Sequence, residues 1–267
     1  MYNSYSLTGV AGALAAALDI EAPKCSETAN PQLIELVKRG TKSGHVDRLV
    51  MYNPDAIAMW LYQKYTDLFN DVVKHTHLSL PLSTVMPSVT PVCFGTMYTG
   101  AQPKVHGITK YAKPVIRIDT LFDAAIRAGK KCAIVADNEC SMGKIFLERN
   151  MDYFYIDDVN ALNDKAIELI EKDEYDIICV YNGNYDSAMH GYGPEAEIPM
   201  QMLKDNIAAF DRIACAIEEK WTNHDTLLGF AMDHGCHEID GSHGSHGLDM
   251  EEDINIQHHY ALIPKKA

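Results

Sequence analysis

A chain of 267 residues with 47% hydrophobic and 22% charged residues is long enough to bury a substantial core, and its composition is neither disordered nor fibrous. Its formal net charge of -14, with basic residues nowhere clustered, excludes the electrostatic attraction that drives binding to nucleic-acid polymers. A small or metal-masked anion suits such a chain better, because bound divalent cations overcome a repulsive field locally.

Taken in order, Leu7 to Ile20 is apolar and rich in small residues. It lacks a basic flank and is too short to span a bilayer, so a packed N-terminal helix is expected, with no membrane association. His45 to Asn53 is a β-rich run that stops at Pro54-Asp55, which predicts a buried strand with Asp55 just beyond its carboxyl end. Ile57 to Phe69 has helical spacing. A polar loop holding Pro81 and Pro87 is expected next, leading to Thr90, whose following Pro91 places the hydroxyl at the entry of a helix over Phe94 to Tyr98.

From there helix-like and strand-like segments alternate: Leu121 to Ala128, Cys132 to Ala136, Met142 to Glu148, Tyr153 to Ile156, Ala161 to Glu171 and Ile177 to Tyr181. A helix over Ile198 to Lys220, a strand over Thr226 to Met232 and a last strand over Ile254 to Ile263 complete the chain. The alternation predicts one α/β domain over 1–267, a mostly parallel central sheet flanked by helices on both faces. Seven scattered cysteines without a CxxC pair predict reduced thiols and a cytoplasmic setting.

Ligands of open α/β sheets gather beyond the carboxyl ends of strands, where Asp55, Asp186 and Asp233 all fall, Asp186 in the loop after Ile177 to Tyr181. Asp186 and His190 stand four apart, a spacing at which one helical turn or a tight loop aims both at one cation, and Asp with His suits zinc, manganese or iron. Asp233-His234-Gly235 offers a second pair. Four of the twelve histidines lie between 234 and 246, so metal binding there competes with a histidine-rich surface loop on flexible backbone. Thr90 is an ordinary loop threonine unless a base or metal activates it. His106-Gly107 reads as a turn below it, and His258-His259 as part of the final strand.

Thr90 through Ile108, with its Thr99-Gly100, Pro103 and His106-Gly107-Ile108, resembles the nucleophile segment of the alkaline phosphatase superfamily, in particular its nucleotide pyrophosphatase and type I phosphodiesterase branch. Asp186 to His190 with the trailing Gly193-Pro194, then Asp233-His234-Gly235 and His246-Gly247, are similar to its later metal-binding segments and occur in the same order. The resemblance implies two divalent ions, Zn2+ first and Mn2+ second. Asp55, Thr90, Asp233 and His234 would surround one ion; Asp186, His190 and His246 would hold the other. It further implies a phosphothreonine intermediate on Thr90 and a small phosphate ester, such as a nucleotide, as substrate. His243 is the reserve for His246, and His237 is a weaker candidate. Cys93 stands where the branch has an asparagine that contacts phosphoryl oxygens; it is either a substrate contact or a structural thiol. Ala56 replaces a common glycine after Asp55, and Met189 replaces the usual glycine before His190. A phosphodiesterase or nucleotide pyrophosphatase is the favoured function; a phosphomonoesterase and a non-catalytic metal-binding or interaction protein of the same fold are the alternatives.

Overall fold

In the computed structural model, which describes residues 1–266, the strands are β1 (Arg48–Pro54), β2 (Leu78–Ser83), β3 (Cys132–Ala136), β4 (Asp152–Tyr155), β5 (Ile177–Asn182), β6 (Thr226–Phe230), β7 (His237–Ile239), β8 (His243–Ser245) and β9 (Asn255–Ile263). Seven of them form one sheet in the order β2-β9-β6-β1-β5-β3-β4, and β7 with β8 makes a separate hairpin. The apolar run of β1 is buried along almost its whole length, as a central strand covered on both faces requires. It pairs in parallel with β5 on one side and β6 on the other. Only β9 runs against the rest, antiparallel to β6 and to β2.

Helices cover both faces. Gly9–Ala17, Thr90–Thr99, Leu121–Arg127 and Ser141–Ile145 pack together in one layer; Val159–Lys172, Asn184–Tyr192 and Glu197–Lys220 pack in the other. The mostly parallel, doubly covered sheet expected from the alternation is therefore present. Among the described residues no helix is long and apolar enough to cross a membrane, and all seven cysteines are free thiols.

Four local expectations need correction. The segment around Pro81 is not a loop but β2. Proline is tolerated there because β2 lies at the sheet edge, where one row of backbone donors has no ladder partner. Asp186 does not sit in a loop; it lies in the first turn of the helix Asn184–Tyr192, which begins two residues after β5. The glycine- and histidine-rich run after Cys236 is held as the β7–β8 hairpin, with His237 opposite Ser245 and Ile239 opposite His243. The helix Thr90–Thr99 starts one turn earlier than Phe94, with Thr90 its first residue and Pro91 in its first turn, a position where the missing N–H costs nothing.

His106 closes the short helix Pro103–His106, its ring against Gly95 and its Nε2 3.1 Å from Thr96 Oγ1. In β9, His258 Nε2 lies 2.7 Å from the Met232 carbonyl. Burial lowers its pKa to about 4, so a neutral imidazole donates there and ties β9 to the residue before Asp233.

Candidate active site and metal centre

Every acidic residue singled out in the sequence arrives at the carboxyl edge of the sheet for a topological reason. Asp55 follows β1, Asp186 follows β5 and Asp233 follows β6; β1 is the strand between the other two. Neighbouring parallel strands end side by side, so three carboxylates separated by as many as 178 positions in the chain converge. Thr90 reaches the same edge from the chain beyond β2, at a helix start.

Asp55, Asp233 and His234 form one group whose ligand atoms all lie within 4.8 Å of one another. His234 Nε2 is 3.4 Å from Asp55 Oδ1, 3.3 Å from Asp233 Oδ2 and 3.3 Å from Thr90 Oγ1. This group is deeply enclosed: Thr90 is 4% exposed, Asp55 1%, and Asp233 and His234 not at all. Asp186, His190 and His246 form the second group, within the same limit, with both Nε2 atoms 3.4 Å from Asp186 Oδ1. The helix places Asp186 and His190 one turn apart on one face. The two groups adjoin through the stacked rings of His234 and His246, whose centroids are 4.1 Å apart. His190 is exposed, so the centre opens to solvent on that side.

All three imidazoles are held in the same way. Nδ1 of His234 meets the Gly235 carbonyl at 2.9 Å, Nδ1 of His190 the Gly244 carbonyl at 3.0 Å, and Nδ1 of His246 the Ser88 carbonyl at 3.1 Å. A carbonyl only accepts, so each Nδ1 carries the proton and each Nε2 is turned toward the carboxylates, the tautomer a metal-ligating histidine needs. Gly244 is demanded by close approach: a Cβ there would fall 2.2 Å from Met189 Sδ. Met189 therefore packs into the hairpin and brings His190 against it.

The electrostatics are those of an anionic cage. Burial, reinforced by Asp186, raises the Asp55 pKa to about 7. Burial and the Asp55 charge push Asp233 up as well. Burial works in the same direction on Asp186, yet the His190 and His246 imidazoles hold it below the usual carboxylate range. His234 is driven down to about 3 by burial and by the neighbouring His246, so it is neutral. Asp55 Oδ1, Asp186 Oδ1 and Asp233 Oδ2 are each buried without a hydrogen bond. Three orphaned carboxylate oxygens facing three imidazole Nε2 atoms fit two divalent cations, since a buried unpaired carboxylate oxygen is otherwise costly.

His243 is exposed, with Nδ1 3.0 Å from its neighbour Ser242 Oγ, and lies in neither group; His246 is the histidine beside Asp186. His237 is turned to Asp253, 2.7 Å from Nδ1 to Oδ1. Cys93 is fully buried one helical turn beyond Thr90, its Sγ 3.1 Å from the Thr84 hydroxyl, which also donates to the Asp233 carbonyl at 2.7 Å. These contacts give the thiol a structural place behind Asp233. Ala56 takes φ +61, a left-handed conformation that costs a residue with a Cβ about 1–2 kcal/mol. Its N–H points at Asp233 Oδ1, 3.3 Å away, so the strain links two carboxylates of one group. Tyr181, whose hydroxyl donates to Asp55 Oδ2, was visible in the sequence only as the end of a strand. The carbonyls of Ser88, Gly235 and Gly244 have no sequence signature.

The sheet order and its two helical layers define an alkaline phosphatase-like α/β fold. Murine ectonucleotide pyrophosphatase/phosphodiesterase 5, solved as an inactive threonine-to-alanine variant in complex with AMP, is similar over 73% of this chain and 58% of that one, with TM-score 0.58 and 16% identity. The human protein of the same name gives TM-score 0.58 and 15% identity over 72% and 58%. Phosphonoacetate hydrolase from Sinorhizobium meliloti 1021, in complex with phosphonoformate, gives TM-score 0.53 and 18% identity over 73% and 59%. The chain thus spans less than two thirds of the length of these solved proteins. No protein-family model matches the chain, and no curated protein does.

Proposed function

We propose that the chain is a two-metal phosphodiesterase or nucleotide pyrophosphatase working through a covalent phosphothreonine on Thr90. The observation that carries this reading is the position of the Thr90 hydroxyl, 3.3 Å from His234 Nε2, beside two groups of carboxylates and imidazoles whose free atoms face one another. Asp55, Asp233, His234 and Thr90 would hold one ion, and Asp186, His190 and His246 the other. Bound there, the ions would supply Lewis acidity and, as two dications against three carboxylates, a local positive surplus that attracts a phosphate ester to an acidic protein. Zn2+ suits the Asp and His donors first and Mn2+ second.

Thr90 Oγ1 attacks phosphorus, and the leaving oxygen departs in line and takes up the proton that the Thr90 hydroxyl gives up. Water then attacks the phosphothreonine, restoring the Thr90 hydroxyl; two inversions give net retention at phosphorus. Burial of Thr90 and His234 keeps bulk water from the first step, while the exposed His190 side admits the ester. The likeness to a fold whose solved examples hold AMP or phosphonoformate, one of them an inactive threonine-to-alanine variant, supports a small phosphorus-centred substrate and a threonine nucleophile.

Hydrolysis of bis(p-nitrophenyl) phosphate and p-nitrophenyl phosphate by the Zn2+-loaded protein tests the reading. The diester is expected to be hydrolysed with at least about tenfold higher kcat/KM, a difference of roughly 1.4 kcal/mol in transition-state binding. Preference for the monoester would make the chain a phosphomonoesterase. Hydrolysis of neither with both ions bound would make it a metal-binding or interaction protein.

A further inference from the structure

We propose that Tyr181 is a positioning residue for the metal centre, its phenol tying one oxygen of Asp55 so that the other is aimed at the ion beside Thr90; this rests on the two-metal reading above. Tyr181 is the penultimate residue of β5 and stands opposite Asn53 of β1. From there its side chain reaches the residue two places further along the neighbouring strand, which is Asp55. The hydroxyl donates to Asp55 Oδ2, while Oδ1 of the same carboxylate has no hydrogen bond and faces His234 Nε2. The phenol therefore divides the carboxylate into a held oxygen and a presented one.

The surroundings fix the phenol for this purpose. Phe94 meets its ring edge-on, with centroids 5.6 Å apart, and the side chain is shut away from solvent. On the other side, a Cβ on Gly183 would lie 2.8 Å from the Tyr181 hydroxyl and 3.2 Å from Cε1 and Cζ. Gly183 itself has φ -95, which alanine adopts freely, so the glycine is needed for the phenol's room and not for the backbone. The second group has no equivalent: Tyr185, beside Asp186, gives its hydroxyl to the Pro194 carbonyl instead. A charge-assisted bond to a ligating carboxylate is strong, and loss of such a partner typically costs about 10–100-fold in metal affinity.

A tyrosine that merely fills space would be replaced by phenylalanine without consequence at either ion. The metal-stripped protein is titrated with Zn2+ against a competing chelator, in a His190→Ala background that leaves the Thr90-side site and in an Asp233→Asn background that leaves the other. Tyr181→Phe is expected to weaken the Thr90-side site by about 10–100-fold and to leave the other unchanged. Gly183→Ala, which pushes the hydroxyl off Asp55 while keeping the phenol, is expected to give the same selective loss. Unchanged affinity at the Thr90-side site in Tyr181→Phe, or equal loss at both sites, overturns the proposal alone. A wild-type protein that takes up no Zn2+ overturns the two-metal reading and this proposal with it.

Discussion

Alanine at position 90 is expected to cut diester turnover by at least about 10⁴-fold, the scale on which loss of a covalent nucleophile is felt, while both ions stay bound. The expectation of retained metal comes from geometry. The three imidazoles are fixed by backbone carbonyls, Asp55 and Asp233 by strand ends and Asp186 by its helix, none of which depends on the Thr90 side chain. Alanine is also acceptable at the first position of a helix whose next residue is Pro91. Thr90→Ser keeps a hydroxyl at the same place and should retain measurable turnover. Metal analysis alongside steady-state hydrolysis makes the comparison, and acid-quenched wild-type enzyme should carry a phosphoryl group on Thr90. Full activity in Thr90→Ala would end the nucleophile assignment.

Asp233→Asn is expected to move activity and stability in opposite directions. It removes a charge from the group that would hold the Thr90-side ion, so hydrolysis should fall by at least about 10²-fold. In the metal-stripped protein the same change relieves a buried carboxylate whose Oδ2 has no hydrogen bond and which lies beside the Asp55 charge. A gain of roughly 1–2 kcal/mol is expected, or about 2–8 °C in Tm for a chain of this size. The pH dependence has a definite sign. Asp55 and Asp233 have folded pKa values raised above their unfolded ones, so the folded state binds protons more tightly. The stability contributed by these two carboxyl groups in the metal-free protein is then fullest near pH 4 and is lost as pH rises toward 7, where Asp55 ionises. The advantage of Asp233→Asn should accordingly be clear at pH 8 and vanish near pH 4 in calorimetric scans with chelator present. An asparagine variant less stable than the metal-stripped wild type at pH 8 would contradict the anionic-cage account.

The strands that build the site were legible because each is a continuous apolar run, as a strand covered on both faces must be. That pattern located β1, β5 and β6, and with them the placement of Asp55, Asp186 and Asp233 beyond their ends. Edge and hairpin strands were harder to read. β2 carries Pro81, which looks like a breaker until its place at the sheet edge is known. β7 and β8 are three residues each, and His243, Gly244 and Ser245 have little strand preference. Spacing could not separate His246 from His243, since both precede nothing more distinctive than glycine or serine. The Ser88 carbonyl that engages His246 Nδ1 lies 158 residues away in the chain. Tyr181 read only as the end of a strand, because an aromatic ring there gives no hint of where its hydroxyl points.

The place of β1 between β5 and β6 also bears on when the centre comes into being. During synthesis, Asp55 and Thr90 emerge long before either neighbour of β1 exists; β5 lies more than a hundred residues after β1, and the last donor, His246, follows the β7–β8 hairpin. The first half of the protein can form its local helices on the ribosome, but its central strand must wait with both edges unpaired. Such non-local pairing slows folding and exposes apolar strand edges meanwhile. Truncation after β5 would therefore yield a chain with only Asp55 and Thr90 of the seven donors and an open sheet edge, prone to self-association, and the complete set of donors appears only once the β7–β8 hairpin has closed.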